Sequence, residues 1–369
     1  MSRPPVLLTG ATGFLGMEVL ARLLEGGDRE VVCLVRAGGE DAARERVDGV
    51  LATLWDNPEP YRARARAVAG DVTKPGLGLS PSVRTALVED VGAVLHCAAS
   101  IVFDLPLDEA RAINVEGTRE VIGFAREART LGRLERFVHV STAYVSGRHP
   151  GLFRERQLDA GQDFRNTYEQ TKWEAEKVLA AADDLSPAVV RPSIVMGDSR
   201  TGWTPAFNVL YWPLRAFSRG LFETVPALPD ARVDVVTVDY VAAALVALLD
   251  RSEAGVFNVV AGSAAPTVEE LMRLGSARFG SLPALVPPED APAEMTDGPG
   301  AVFLPYFEVQ TIFDDARANA ILAPSGIRPA RLADCFGPLM DYADAAGWGK
   351  TPMTREAAAR RVAAAQAAA

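Results

Sequence analysis

Short apolar runs rich in β-branched residues alternate with longer stretches whose apolar positions recur at helical spacing, through roughly the first two-thirds of the chain. That alternation is the pattern of βαβ units feeding a parallel sheet. Strands are predicted at 6–9, 31–35, 67–70, 93–98, 136–141, 188–192 and 256–260. Most show no in/out alternation, as expected of strands covered by helices on both faces. Between them, "LGMEVLARLLEGG" reads as a helix closed by a glycine pair suited to a C-cap, and "INVEGTREVIGFAREART" as a second helix. The character changes near 201. "TGWTPAFNVLYWPLRAFSRGLFETVPALPDA" is aromatic and punctuated by proline, and 281–300 is rich in Pro, Ala and Gly. The expected fold class is therefore α/β: a Rossmann-like, doubly wound parallel sheet with a smaller, mostly helical C-terminal substrate domain. The sheet domain is assigned to 1–200 plus about 233–262, and the smaller lid-like domain to about 201–232 plus 263–369. The tail "TREAAARRVAAAQAAA" forms helix readily but has little to bury, so it is expected to fray.

Composition narrows the function. The chain has 369 residues, 49% hydrophobic and 23% charged, which suits a folded globular protein. A net charge of −10 argues against nucleic acid as a partner, because phosphate backbones are held by basic stripes. The one basic cluster, Arg62, Arg64 and Arg66, alternates with small residues and reads as the solvated face of a strand. Cys33, Cys97 and Cys335 form no CxxC pair, and His96, His139 and His149 have no ligand spacing, so no metal site is expected. With no leader-like segment and no apolar run long enough to span a bilayer, a cytoplasmic location without a transmembrane segment is expected.

Two stretches carry chemistry. In "VLLTGATGFLGMEVL", Gly10, Gly13 and Gly16 follow a strand and open a helix, where a backbone without Cβ can approach a pyrophosphate and the helix N-terminus offers free N–H groups. The second strand ends in "CLVRAGG", placing Arg36 where a carboxylate would select NAD. A cation there suits a 2′-phosphate, so NADPH (NADP) is the expected cofactor. Asp71 and Val72 close the third strand beside the adenine. Cys97, Ala98 and Ala99 close the fourth with small residues, Cys97 as a buried thiol rather than a reactive one.

The fifth strand delivers Ser141 and Thr142 to the C-terminal edge of the sheet, where ligands of such sheets bind. Tyr168 and Lys172 follow in "NTYEQTKWEAEKVL", four residues apart and so on one helix face. A strand-end hydroxyl with Tyr-x-x-x-Lys beside a dinucleotide site is a constellation for hydride transfer to a carbonyl. Lys172, together with the positively charged oxidised nicotinamide, is expected to lower the phenol's pKa and to hydrogen-bond the nicotinamide ribose, and Thr142 to donate to the developing oxyanion.

These residues resemble the extended short-chain dehydrogenase/reductases, and within them the thioester reductases and fatty acyl-CoA reductases. "TGATGFLG", "LVRA", "GDVTKPGLGLS", "HCAASIVFD", "INVEGTREV", "FVHVSTAYVSG", "LDAGQDFRNTYEQTKWEAE", "RPSIVMGDSRTG" and "VDVVTVDYVAAA" are similar to that family's blocks, in its order, over roughly 5–245. The resemblance implies Thr142, rather than Ser141, with Tyr168 and Lys172 as the catalytic set. It implies a cofactor site that adds Thr12, Phe14, Leu15, Asn114, Pro192, Ser193 and Ile194 to the residues above, with Asn114 either packing the active-site helix or serving as a helix-start cap. Ser141, Phe207, Tyr211, Trp212 and Arg215 are the substrate-side candidates, joined by Phe217, Phe222 and Arg219; the aromatics line an acyl pocket or form the smaller domain's core.

The implied reaction is NADPH-dependent reduction of an acyl thioester, carried in trans on coenzyme A or a carrier protein, to an aldehyde and on to an alcohol if a second hydride follows. The chain reads as a freestanding reductase, monomer or homodimer. Two other readings stand beside it. One is an extended short-chain dehydrogenase, epimerase or dehydratase acting on a small alcohol, ketone or sugar nucleotide. The other is a non-catalytic NADP(H)-binding sensor or interaction protein.

Overall fold

A computed structural model describes residues 3–207, 209–221, 223–280, 283–292, 295 and 301–368. Its centre is a seven-stranded, all-parallel sheet: β1 Val6–Thr9, β2 Val31–Val35, β3 Ala65–Ala69, β4 Ala93–His96, β5 Arg136–Val140, β6 Ala188–Pro192 and β7 Gly255–Val259, in spatial order β7-β6-β5-β4-β1-β2-β3. Neighbouring strand residues feed opposite cores. Val6 and Leu8 pack with the helices Phe14–Glu25 and Val238–Leu249, while Leu7 packs with Phe124 and Ala125 of the helix Gly117–Leu131. Both faces are therefore apolar, which explains the missing alternation.

The strands sit where the apolar runs predicted them, with shifts at the ends. β4 stops at His96 rather than 98, because beyond Cys97, whose N–H reaches Thr9 O, the chain turns away over the glycine turn. β1 and β4 are neighbours, and the strand order reverses between them. The crevice opens at the carboxyl ends of that pair, as in open α/β sheets generally. The second predicted helix begins with a π turn, Ala112–Glu116, before α-helix Gly117–Leu131.

A second core lies beyond the carboxyl edge. The helices Tyr211–Ser218, Val268–Phe279 and Leu332–Ala345 share it with Phe153, Ile194 and Met196. Two-stranded parallel pairs lie around this core: Ile194–Met196 with Val235–Thr237, Thr224–Pro226 with Ala284–Val286, and Gly151–Phe153 with Thr311–Phe313. The chain thus enters this core well before 201. Among the described residues no helix is long and apolar enough to cross a membrane, and no group of three or more His, Cys, Asp or Glu side chains could hold a metal.

The tail departs from expectation. Residues Arg355–Ala368 form a helix whose first turns are tied down by charge rather than apolar burial. Arg355 meets the fully buried Glu18 (2.7 Å) and Glu25 (2.8 Å), and Arg360 pairs with Asp56. An apolar-pattern reading sees none of these contacts. The basic cluster does lie at an edge: Arg66 pairs with Glu30 (3.1 Å), and Arg64 donates to Leu24 O (2.7 Å). Removing one partner of a buried ion pair leaves the other uncompensated. Arg355→Ala, which leaves Glu18 with Arg22 alone, is therefore expected to lower the unfolding free energy by about 3 kcal/mol, read from urea titration followed by circular dichroism.

Candidate active site

The glycine turn is built for close approach. Gly10 has φ +76°, a conformation that favours glycine, and a Cβ there would stand 2.7 Å from Ala98 N. A Cβ on Gly16 would collide with the carbonyl oxygen of Gly10. Gly13 is the N-cap of helix Phe14–Glu25 and supplies no capping side chain, so the first-turn N–H groups and the positive end of the helix dipole face outward. An anion at this turn would satisfy them.

Two adjoining cavities of about 390 Å³ and 340 Å³ share Gly10, Gly13, Cys97 and Ala99. The smaller one adds Thr12, Arg36, Asp71, Val72 and Ala98, all expected there, and a residue the sequence did not suggest, Arg46. Arg46 projects from helix Glu40–Leu54, donates to Arg36 O and reaches Thr12 Oγ1 (3.4 Å). Asp71 accepts from Thr73 N (2.9 Å) and Oγ1 (2.8 Å), shaping the turn. Burial pushes the Cys97 thiol up to about 12, so it stays protonated and unreactive.

The larger cavity gathers Phe14, Leu15, Gly16, Ser141, Thr142, Tyr168, Lys172, Pro192, Ser193 and Ile194. Asn166 caps the helix Thr167–Ala180, accepting from Glu169 N (2.9 Å), and so sets where Tyr168 begins the first turn. Tyr168 stands beside Thr142, whose hydroxyl donates to Pro192 O (3.4 Å) and accepts from Tyr144 N (3.3 Å). One turn on, the buried Lys172 donates from Nζ to Val140 O (2.8 Å) and lies 3.3 Å from His139 Nε2. Burial lowers Lys172 to about 8.

Here the structure differs from the expectation that Lys172 acidifies the phenol. Burial instead pushes Tyr168 up to about 12, with the neighbouring Thr142 hydroxyl opposing it, and the Lys172 ammonium is turned toward the strand-end carbonyl rather than the phenol. At neutral pH Tyr168 is a hydroxyl donor.

Asn114 lines neither cavity. From the π turn, its Nδ2 donates to Thr171 Oγ1 (2.9 Å) and Ser100 O (3.1 Å), and its Oδ1 accepts from Ser100 N (2.8 Å). It joins the loop after β4 to the Tyr168 helix and caps no helix. Ser141 donates to Glu176 (2.5 Å), which pairs with the fully buried Arg191 through bonds of 2.8 and 2.6 Å, so its hydroxyl is engaged within that buried pair.

The aromatic candidates after 200 lie elsewhere. Tyr211 is in the second core with its hydroxyl accepting from Gly197 N (3.1 Å), and Phe207 packs between it and Tyr342. Phe217 is in the same core, Arg219 is exposed, and neither Trp212 nor Arg215 lines the cavity. Trp212 lies behind Phe303 (ring centroids 6.3 Å). Phe222 falls outside the described residues.

The wall around Tyr168 comes instead from Ile101, Phe103, Tyr144, Val209 and Tyr306. Phe103 stacks on Tyr168 (5.8 Å) and Tyr306 (5.4 Å), and Tyr144 meets Tyr306 edge-on (5.0 Å). No sequence signal marked Tyr306, which arrives from a 3-10 segment far along the chain. Lys172 is the one charged residue among the described residues lining this cavity.

The family model described as "Male sterility protein" matches residues 8–245. Human fatty acyl-CoA reductase 1 is 32% identical over 272 residues, covering 64% of this chain and 52% of that one. The large subunit of L-2-aminoadipate reductase from Penicillium chrysogenum is 32% identical over 281 residues, covering 70% of this chain and 19% of its own length. The chain thus spans about half the length of the fatty acyl-CoA reductases it matches. Among solved structures, the terminal R domain of the myxalamid PKS-NRPS biosynthetic pathway superposes with a TM-score of 0.80 at 28% identity, covering 95% of this chain and 93% of that domain. The matched glycine turn, strand-end hydroxyls and Tyr-x-x-x-Lys helix fall within one such unit, and the chain belongs to the male sterility protein family, within the extended short-chain dehydrogenase/reductases.

Proposed function

We propose that this protein is an NADPH-dependent reductase of acyl thioesters. The observation that carries the reading is the pairing of two neutral hydroxyl groups, Tyr168 and Thr142, beside the glycine turn in a cavity whose remaining wall is apolar. The residues present fit a dinucleotide phosphate. Gly10 and Gly16 leave no room for side chains, the uncapped helix start presents N–H groups, and Arg36 and Arg46 stand together at the far end of the groove. Two guanidinium groups suit a 2′-phosphate rather than a bare ribose. Bound in this groove, NADPH supplies the hydride that reduces the acyl carbon.

The chain's own residues do the rest. Tyr168 and Thr142 donate hydrogen bonds to the carbonyl oxygen as charge builds on it, where an apolar surround strengthens each bond. Tyr168, protonated because its pKa is pushed up to about 12, then gives its proton to that oxygen. The resulting hemithioacetal collapses to an aldehyde and a thiol. Lys172, with one bond to Val140 O, keeps donors for the ribose side of the groove.

Among the described residues Lys172 is the one basic side chain lining the larger cavity, few for a sugar nucleotide's phosphates, which disfavours an epimerase reading. The myxalamid R domain and the fatty acyl-CoA reductases are similar to this chain, and support a thioester held on a carrier protein or on coenzyme A in trans.

Three measurements test this. Purified protein with NADPH and a panel of acyl-CoAs, acyl-carrier proteins, aldehydes and sugar nucleotides is expected to consume NADPH with thioesters and release aldehyde or alcohol, identified by mass spectrometry. Turnover confined to sugar nucleotides or small alcohols would overturn the proposal. Tyr168→Phe is expected to cut turnover by about 10²–10⁴-fold while NADPH binding, followed by fluorescence, stays within about threefold. Arg36→Ala and Arg46→Ala are each expected to weaken NADPH about tenfold and NADH little; equal losses would sink the assignment of these arginines to the phosphate.

A further inference from the structure

Beneath the cavity floor lies a row of buried polar side chains that the proposed chemistry does not use. Thr9, His96 and His139 occupy matching positions on β1, β4 and β5, so all three project from the same face at one level of the sheet. Each is no more than 1% exposed. The helix carrying Tyr168 and Lys172 packs over that face.

The hydrogen bonds determine one tautomer. Thr118 donates its hydroxyl proton to Asn114 O (2.7 Å), so toward His96 Nε2 (3.3 Å) it acts as acceptor. His96 therefore carries its proton on Nε2. Its Nδ1 accepts from Thr9 (2.7 Å), whose oxygen in turn accepts from Ala98 N (3.1 Å). Both nitrogens are satisfied in the neutral ring, and burial pulls His96 down to about 3.

His139, its ring centroid 5.1 Å from that of His96, is different. Its Nε2 faces Lys172 Nζ at 3.3 Å, and its Nδ1 is buried with no partner. Burial first, then the Lys172 charge, holds His139 well below its ordinary value. An ammonium has only donors to offer, so a neutral His139 must receive its hydrogen bond on a bare Nε2. The remaining groups near Lys172 are His96 on β4, the Cys97 thiol at the end of β4, Tyr168 on the same helix, and Glu176, also on that helix, which pairs with Arg191 of β6 and whose charge still favours the ammonium.

We propose that His139 is a positioning residue for the reductase site: as a hydrogen-bond acceptor beneath Lys172, it helps keep the buried amine protonated and holds one of its protons downward, leaving another for the groove above. The unpartnered Nδ1–H is the cost of that arrangement. The proposal rests on Lys172 belonging to the reductase site, and its test is read without substrate.

The chain has four lysines (Lys74, Lys172, Lys177 and Lys350) and three histidines, so selectively labelled protein gives a short list of NMR signals. In ¹³C-lysine protein, with Lys172 assigned through Lys172→Arg, the wild-type midpoint is expected at about 8. Loss of a hydrogen bond to a charged group in His139→Leu should lower that midpoint by about one pH unit, whereas His139→Gln, which keeps an acceptor near the Nε2 position, should stay close to wild type. The alkaline limb of kcat/KM for NADPH should move in parallel, which a purely structural defect would not produce. An unmoved Lys172 midpoint in His139→Leu would overturn the proposal. Should that variant not fold, the wild-type ¹⁵N-histidine spectrum decides: His139 is expected to be protonated on Nδ1 with Nε2 bare, and a proton on Nε2 refutes it. Absence of thioester reduction with these NMR results intact would count against the substrate and leave the role of His139 standing.

Discussion

The site depends on how one buried ammonium is seated. Lys172 reaches through the start of its helix to the carbonyl of Val140, the last residue of β5, and this contact pins helix Thr167–Ala180 against the strand end. Tyr168, one turn earlier on the same face, is thereby brought to Thr142, two residues beyond the strand. Glu176, one turn later, locks the far side through Ser141 and Arg191. A single helical face thus carries a proton donor, a cation and a structural carboxylate in succession, each facing a different point on the edge of the sheet.

Burial is what gives these groups their character. It raises Tyr168, so that the phenol holds its proton, and lowers Lys172 toward the physiological range. A lysine suits that position where an arginine would not, since a compact amine can be fully surrounded and still lose or gain its proton. Of the 38 basic residues in the chain only four are lysines, and one of them holds this position. The same burial keeps His96 neutral and leaves Cys97 a thiol.

The two halves of the groove use different physics. At the glycine turn, backbone lies against backbone and the N–H groups of a helix start supply the attraction. At the Tyr168 end, aromatic rings from the loop after β4, the turn after β5 and the 3-10 segment Ala301–Glu308 form the wall. The first suits a charged dinucleotide and the second an apolar acyl group, so the hydroxyl pair stands where the two environments meet.

Much of this was legible in the sequence because it is local. Strand ends, the glycine turn, Arg36, Ser141, Thr142 and the Tyr168–Lys172 spacing each lie within a short window, and periodicity plus the parallel-sheet rule places them at one edge. Arg46, Phe103, Tyr144, Tyr306 and His139 carry no local signal: an arginine on a helix, an aromatic in a loop or a histidine in a strand reads the same wherever it points. Phe207 and Tyr211 show the converse, aromatic residues whose local setting suited a pocket and whose packing made them core. Sequence by itself determined the sheet, the turn and the Tyr168–Lys172 pair, because these follow from backbone geometry over a few residues. Only the tertiary structure decided which side chains surround that pair and what burial does to their protons, because both depend on segments that meet only after the chain has folded.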